Sequence, residues 1–356
     1  MAEHSEAMAT SKPFGPSLPS PMRDRLRWGT VFLGLVILAT PAMALIGLAV
    51  LGAVYEAQSV VPGVFLALVA LSALRGIGFE LGLVREASEV ESSARTETVA
   101  TAIAIALGGF VTFVLVVEGG LTPVVAASLT GLLAVAVRRS LAVPAYCGAF
   151  VGMTSPAVFT AYWHGLVAAT LAIVVYLVAQ PAFHGVGGKL GTTAFVGASL
   201  TILGSSTPFL SDPLPAADTA ALVVGYSVVA AVATFALHDR LPLDPVSASS
   251  VVGVVGGIAL PWLHPAVGGL LAAAIYAASF AGMSDASRIP DERWMALAGV
   301  SVGLTVVYTA PYLGGSGGKL GTIAFVSCLS VYGLVGTVYH VLVLMRVERL
   351  PRRDIS

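Results

Sequence analysis

Gly-Val-Gly-Gly-Lys-Leu-Gly-Thr-Thr-Ala-Phe-Val, at residues 185–196, returns as Gly-Ser-Gly-Gly-Lys-Leu-Gly-Thr-Ile-Ala-Phe-Val at residues 315–326. Ten of the twelve positions are identical, at an offset of 130 residues. A second pair of segments, residues 146–155 and 276–285, keeps this offset and repeats its Tyr, Phe, Gly and Met. Two matching pairs at one spacing indicate an internal duplication. We call the first pair the glycine–lysine boxes and the second pair the Phe-Gly-Met boxes.

The lysines single out the same two places. The chain contains three lysines, Lys12, Lys189 and Lys319, whereas its arginines are spread along the whole sequence. Lys12 lies in the polar start of the chain, and the other two occupy the same position in the two glycine–lysine boxes. Each of these two lysines is surrounded by glycines and flanked by apolar segments, which makes the pair the first candidate for a functional charge.

The composition indicates a membrane protein. Hydrophobic residues make up 57% of the 356 residues, charged residues only 10%, and the mean hydropathy is +0.91. Soluble domains contain about 25% charged residues, so the expected environment is a lipid bilayer. The net charge of −1 predicts no nucleic-acid partner. Cys147 and Cys328 lie in apolar segments, and no spacing of ligands suggests a metal or a cofactor.

The apolar segments predict an all-α polytopic protein with about twelve transmembrane segments in the order two, five and five. We expect a cytoplasmic tail at 1–27, two accessory helices at 28–84, a first membrane repeat at 85–207, a second repeat at 217–345 and a cytoplasmic tail at 346–356. The first apolar segment is expected to be retained rather than cleaved as a signal peptide.

Some predicted segments are too short for a straight crossing, which needs about 20 residues. The segments at 141–156 and 192–207 are examples, and both are next to repeated boxes. Short, glycine-interrupted segments at matching places in two halves are typical of discontinuous helices.

The distribution of arginine predicts the orientation in a cell membrane (plasma or inner membrane). With both termini in the cytoplasm, nearly all arginines of the connectors fall on the cytoplasmic side. They are Arg85, Arg95, Arg138, Arg139, Arg240, Arg288 and Arg293. Five predicted segments separate the two glycine–lysine boxes, so the boxes should enter from opposite faces. The duplication is therefore predicted to be an inverted-topology repeat, a recurring plan of secondary transporters.

The glycine–lysine boxes could bind a small anion. Four glycines within seven residues disfavour a regular helix, and open backbone in a membrane must line a cavity or be buried in protein. Free N–H groups at a helix start, together with an ammonium group, suit an anion. The candidate substrate-binding residues are Gly187, Gly188, Lys189, Thr192, Gly317, Gly318, Lys319 and Thr322. The alternative is that each box is a connector at the membrane surface, with its lysine among lipid headgroups.

Enzymatic motifs are lacking in the sequence. A phosphate-binding P-loop requires Ser or Thr directly after the lysine, whereas Leu190 and Leu320 occupy these positions. No pairing of a nucleophile with a base is visible, so we expect no catalytic residues and no enzyme activity.

The ends of the Phe-Gly-Met boxes are candidates for coupling to an ion. Thr154, Ser155, Ser284 and Asp285 carry hydroxyl or carboxylate oxygens that could hold a cation or a proton near the membrane centre. The alternative is helix packing, in which the preceding glycines allow close approach. Asp285 could also be a solvated residue of the cytoplasmic connector. Arg75 and Glu80, five residues apart in the second segment, are expected to form an interfacial pair.

The sequence therefore favours a permease or secondary transporter that works by alternating access between the two repeats. A small anion or carboxylate is the favoured solute, with a proton or sodium gradient as candidate driving force. A channel for an ion or small neutral solute is the first alternative, and a membrane subunit of a larger complex is the second. Assembly into a homo-oligomer stays open.

Overall fold

A computed structural model describes residues 20–87 and 98–348 of the chain. Twelve α-helices occur in this part of the chain, with a π-helical turn after the first and a 3-10 turn after the fourth. They are α1 (Ser20–Leu51), α2 (Val60–Ala87), α3 (Thr98–Val117), α4 (Pro123–Arg138), α5 (Ala142–Gly152), α6 (Tyr162–Ala179), α7 (Lys189–Ser205), α8 (Ala217–Asp239), α9 (Pro245–Leu263), α10 (Gly268–Gly282), α11 (Glu292–Tyr308) and α12 (Lys319–Glu348).

Eight stretches of helix in the described residues are long and apolar enough to cross a membrane. Long apolar helices satisfy their own backbone hydrogen bonds, as a lipid environment requires. The chain is therefore a polytopic, all-helical membrane protein. Helices α7, α10 and α11 fall short of the length for a crossing, and α5 has 11 residues. The arrangement as twelve membrane crossings in an inverted repeat accordingly stays a prediction.

The two predicted repeats contain the same series of five helices, α3–α7 and α8–α12. Their helices also pack in the same way. A methyl group added at Gly152 of α5 would collide with the carbonyl oxygen of Gly109 in α3, and one added at Gly282 of α10 would lie 2.6 Å from the carbonyl oxygen of Ala231 in α8. The glycines of the Phe-Gly-Met boxes thus allow close helix contact, and the packing interpretation of these two residues is confirmed.

Helices α1 and α2 pack on the repeats. Helix α1 begins at Ser20, so helix extends into the segment that we predicted as a tail. Gly34 of α1 is in close contact with the backbone of Ala179, and Gly76 of α2 with the carbonyl oxygen of Leu329. The accessory helices therefore contact both repeats.

The predicted pair of Arg75 and Glu80 is wrong. Glu80 is 3% exposed and forms an ion pair with Arg288, in the connector between α10 and α11. Arg75 instead donates a hydrogen bond to Thr337 of α12. The prediction failed because the preferred partner of Glu80 is more than 200 residues away in sequence and becomes a neighbour only when α2 packs against the second repeat.

Candidate functional site

The two glycine–lysine boxes meet at the centre of the fold, where α7 crosses α12. A methyl group added at Gly191 would lie 2.5 Å from the Cα atom of Gly321, and one added at Gly321 would lie 2.5 Å from the Cα atom of Gly191. Real Cβ atoms do not approach other atoms this closely. The crossing therefore requires glycine in both helices, which explains why both copies of the box end in this residue.

The direction of the two helices follows from the residues on either side of this crossing. Gly188, which precedes α7, lies against the carbonyl oxygen of Gly321 and the amide nitrogen of Phe325. Gly318, which precedes α12, lies against the carbonyl oxygen of Gly191. The start of each helix thus contacts a later turn of the other, so the two helices run antiparallel and begin next to each other.

The backbone of both boxes is left-handed at equivalent positions. Gly185 and Gly315 have φ angles of 75° and 76°, and Gly188 and Gly318 have φ angles of 81° and 82°. Only glycine adopts this region without a steric cost. The glycines accordingly set the direction in which the chain enters α7 and α12.

Each box is also fastened to the Phe-Gly-Met box of the other repeat. The N–H group of Gly187 donates to the hydroxyl of Ser284 at 3.0 Å, and the N–H group of Gly317 donates to the hydroxyl of Thr154 at 3.1 Å. Both hydroxyls are fully buried. Ser284 and Thr154 therefore complete the hydrogen bonding of the opposite box, which was not foreseen from the sequence.

These contacts between repeats predict a stability effect. In Thr154→Val and in Ser284→Ala a buried glycine N–H group loses its acceptor, which typically costs about 1–3 kcal/mol. We expect both variants to lower the thermal midpoint of the purified protein. Thr201→Val is the matched control, because the buried hydroxyl of Thr201 bonds only within its own helix. Equal effects of all three substitutions would show that the contact between boxes contributes nothing special.

The two lysines bind the end of the preceding helix. The ammonium group of Lys189 donates to the carbonyl oxygen of Gln180 at 2.8 Å. That of Lys319 donates to the carbonyl oxygens of Thr309 at 2.7 Å and Tyr312 at 2.5 Å. Lysine commonly bonds the last carbonyls of a helix. An ammonium group has three donors, so each lysine retains at least one N–H for another partner.

Two cavities lie next to the crossing, one beside each lysine. The larger one, about 930 Å³, is lined by Lys319 and the start of α12. The smaller one, about 370 Å³, is lined by Lys189 and the start of α7. Pro245 at the start of α9 lines the small cavity, and Pro261 near its end lines the large one. The cavities thus lie towards opposite ends of α9.

The two cavities are built from equivalent residues of the two repeats. Nearly every residue in the wall of the small cavity has its repeat counterpart in the wall of the large one. Examples are Val143 and Ala273, Gln180 and Ala310, Lys189 and Lys319, Pro245 and Pro123, Met283 and Met153, and Asp285 and Ser155. The side chains of the small cavity are the more polar, with Gln180, His184 and Asp285 where the large cavity has Ala310, Gly314 and Ser155.

Two phenylalanines belong to both cavities. Phe150 and Phe280 line each of them, are 2% exposed, and have ring centroids 4.6 Å apart. Tyr146 and Tyr276 pack against them, each with a ring centroid 4.4 Å from the phenylalanine of its own repeat. The four rings lie between the cavities. The repetition of Tyr and Phe in the sequence was the signal that could have identified them.

The predicted site residues accordingly divide into two groups. Cavity walls contain Gly187, Gly188, Lys189, Gly318, Lys319, Ser155 and Asp285. The others are buried in protein contacts: Gly317 and Thr154 bond each other, Ser284 bonds Gly187, and the hydroxyls of Thr192 and Thr322 donate to the carbonyl oxygens of Gly188 and Gly318. Comparisons with protein-family models, with curated proteins and with solved structures find no match for this chain.

Proposed function

We propose that this chain is a permease or secondary transporter of a small solute, with an anion or carboxylate favoured, that works by alternating access. The observation that carries the proposal is the pair of repeat-related cavities, each lined by a lysine and by the first turn of α7 or α12. The first N–H groups of a helix have no acceptor within it and attract anions. An ammonium group in the same wall adds to this attraction.

The antiparallel crossing of α7 and α12 supports an inverted relation between the repeats. Equivalent helices that run in opposite directions are what a pseudo-two-fold axis in the membrane plane produces. With the orientation inferred from the arginines, the small cavity would open to the cytoplasm and the large one to the opposite face. A solute released from one cavity could then reach the other only through the four rings and the crossing.

A coupling ion would use Asp285 in this proposal. Its carboxylate lies in the wall of the small cavity beside Gly185. Ser284 and Thr154 are less suited, because their hydroxyls already accept the N–H groups of Gly187 and Gly317. A proton and a sodium ion are both candidates for binding there.

Cysteine labelling tests the opposed cavities. Gln180 and Ala310 are equivalent residues in the two walls, and the native Cys147 and Cys328 are buried. In sealed vesicles we expect a membrane-impermeant maleimide to label Gln180→Cys from one face and Ala310→Cys from the other. The Cys147→Ala/Cys328→Ala background is the control. Labelling of both sites from a single face would contradict the inverted repeat.

Reconstitution tests transport itself. Purified protein is first screened for thermal stabilisation by chloride, phosphate, acetate, lactate and succinate, since a ligand of the folded state raises its apparent stability. A stabilising anion is then offered to liposomes containing the protein. Saturable uptake that a proton or sodium gradient drives uphill is the expected result. Passive, non-saturating flux would favour a channel, and co-purification with another membrane protein in the absence of flux would favour a subunit.

A further inference from the structure

Arg75 lies on the lipid-facing side of α2. Val64, Leu68 and Leu71 are all more than half exposed and follow one another at helical spacing along this face. Arg75 comes one turn after Leu71 and is also exposed. It is ten residues before Arg85, or about 15 Å along the helix, so it is well inside the predicted membrane span.

The guanidinium group is poorly satisfied by the protein. Its one hydrogen bond within the described residues goes to the hydroxyl of Thr337 at 3.2 Å, whereas an arginine has five N–H donors. Glu80 is the only carboxylate of α2 between residues 60 and 83, and it is paired with Arg288. An arginine exposed to hydrocarbon costs several kcal/mol unless it finds a partner.

A groove of about 540 Å³ begins at this arginine and runs between α2, α11 and α12. Arg75 and Thr337 lie at its end nearest to the C-termini of α2 and α12, and Phe65 lies at the other end. Most of the remaining wall is apolar: Leu68, Val69, Leu71, Leu297, Val331 and Leu334. The groove therefore combines a cationic end with a long apolar part.

We propose that this groove binds an anionic phospholipid, with an acyl chain in the apolar part and the phosphate on Arg75. The guanidinium group suits a phosphate because it offers two parallel donors, and its flexible stem lets it reach towards the headgroups. A second copy of the chain is the weaker occupant. Apart from Glu80, every carboxylate of the described helices lies at or near a helix end, so a partner copy would bring none to the level of Arg75.

The test compares two lipids with identical acyl chains. Purified protein in neutral detergent receives dioleoyl phosphatidylglycerol or dioleoyl phosphatidylcholine, and its thermal midpoint and its lipid adducts in native mass spectrometry are measured. We expect the anionic lipid to raise the midpoint by about 5 °C and to remain bound, and the zwitterionic lipid to do neither. Arg75→Ala should lose this response, whereas Arg293→Ala, which removes an exposed arginine outside the groove, should keep it.

A second variant protects the test if Arg75→Ala does not fold. Leu297→Trp fills the apolar part of the groove but leaves Arg75 in place, and it should also lose the response. Equal stabilisation of the wild type by both lipids would overturn the proposal, as would a full response of the folded Arg75→Ala variant. A change from dimer to monomer in Arg75→Ala without any lipid dependence would also overturn it and indicate self-association.

Discussion

Replacement of Lys319 with methionine should reduce uptake of the transported anion by roughly 10- to 100-fold, as the loss of a hydrogen bond to a charged group implies. Methionine keeps the length of the side chain but removes the ammonium group from the wall of the large cavity. Lys189→Met should have a similar effect, because Lys189 holds the equivalent position in the small cavity. The measurement is the initial rate of uptake into liposomes with equal amounts of inserted protein.

The same substitutions also remove a structural contact, so stability must be measured beside uptake. Methionine leaves the carbonyl oxygens of Thr309 and Tyr312 without their donor, at a cost of about 1–3 kcal/mol. Lys319→Arg retains a positive charge and should retain part of the uptake. Lys12→Met, which replaces the one lysine outside the boxes, should leave both quantities unchanged. Variants that are less stable but take up the anion at the wild-type rate would show that the two lysines only cap helices.

The duplication made the centre of the fold predictable from sequence. Identical glycines in both boxes indicated open backbone, and the structure places them at a crossing that only Gly191 and Gly321 permit. The start of α7 and of α12 directly after a glycine run also followed from the low helix propensity of glycine. Local chemistry was sufficient for these features because each depends on residues that are close in sequence.

Partners that are distant in sequence could not be predicted in the same way. The acceptors of the lysines are backbone carbonyls, which have no signature in the sequence, and the bond between Gly187 and Ser284 depends on how the two repeats dock. Glu80 was assigned to its neighbour in sequence, whereas packing of α2 gives it Arg288. Side-chain pairing across repeats follows from tertiary geometry, and the one-dimensional pattern contains only its symmetry.

Truncation of Phe150 or Phe280 should convert the closed pathway into a leak. The two rings are in contact and line both cavities, so removal of one ring would leave space between them. Phe150→Ala and Phe280→Ala should each allow efflux of chloride or acetate from preloaded liposomes without a driving gradient, and they should abolish uphill accumulation. The measurement is efflux with time, compared with the wild type and with protein-free liposomes.

A buried phenylalanine that borders neither cavity separates a leak from general instability. Phe235 of α8 is 1% exposed and lines neither cavity. Phe→Ala in a core costs about 3–5 kcal/mol, so Phe235→Ala should be destabilised to a similar degree but should remain tight. If Phe150→Ala and Phe280→Ala fold and are as tight as Phe235→Ala, the rings are core packing only and the barrier is the contact of Gly191 with Gly321. If only the two ring variants leak, the phenylalanines are the barrier that a conformational change must move during transport.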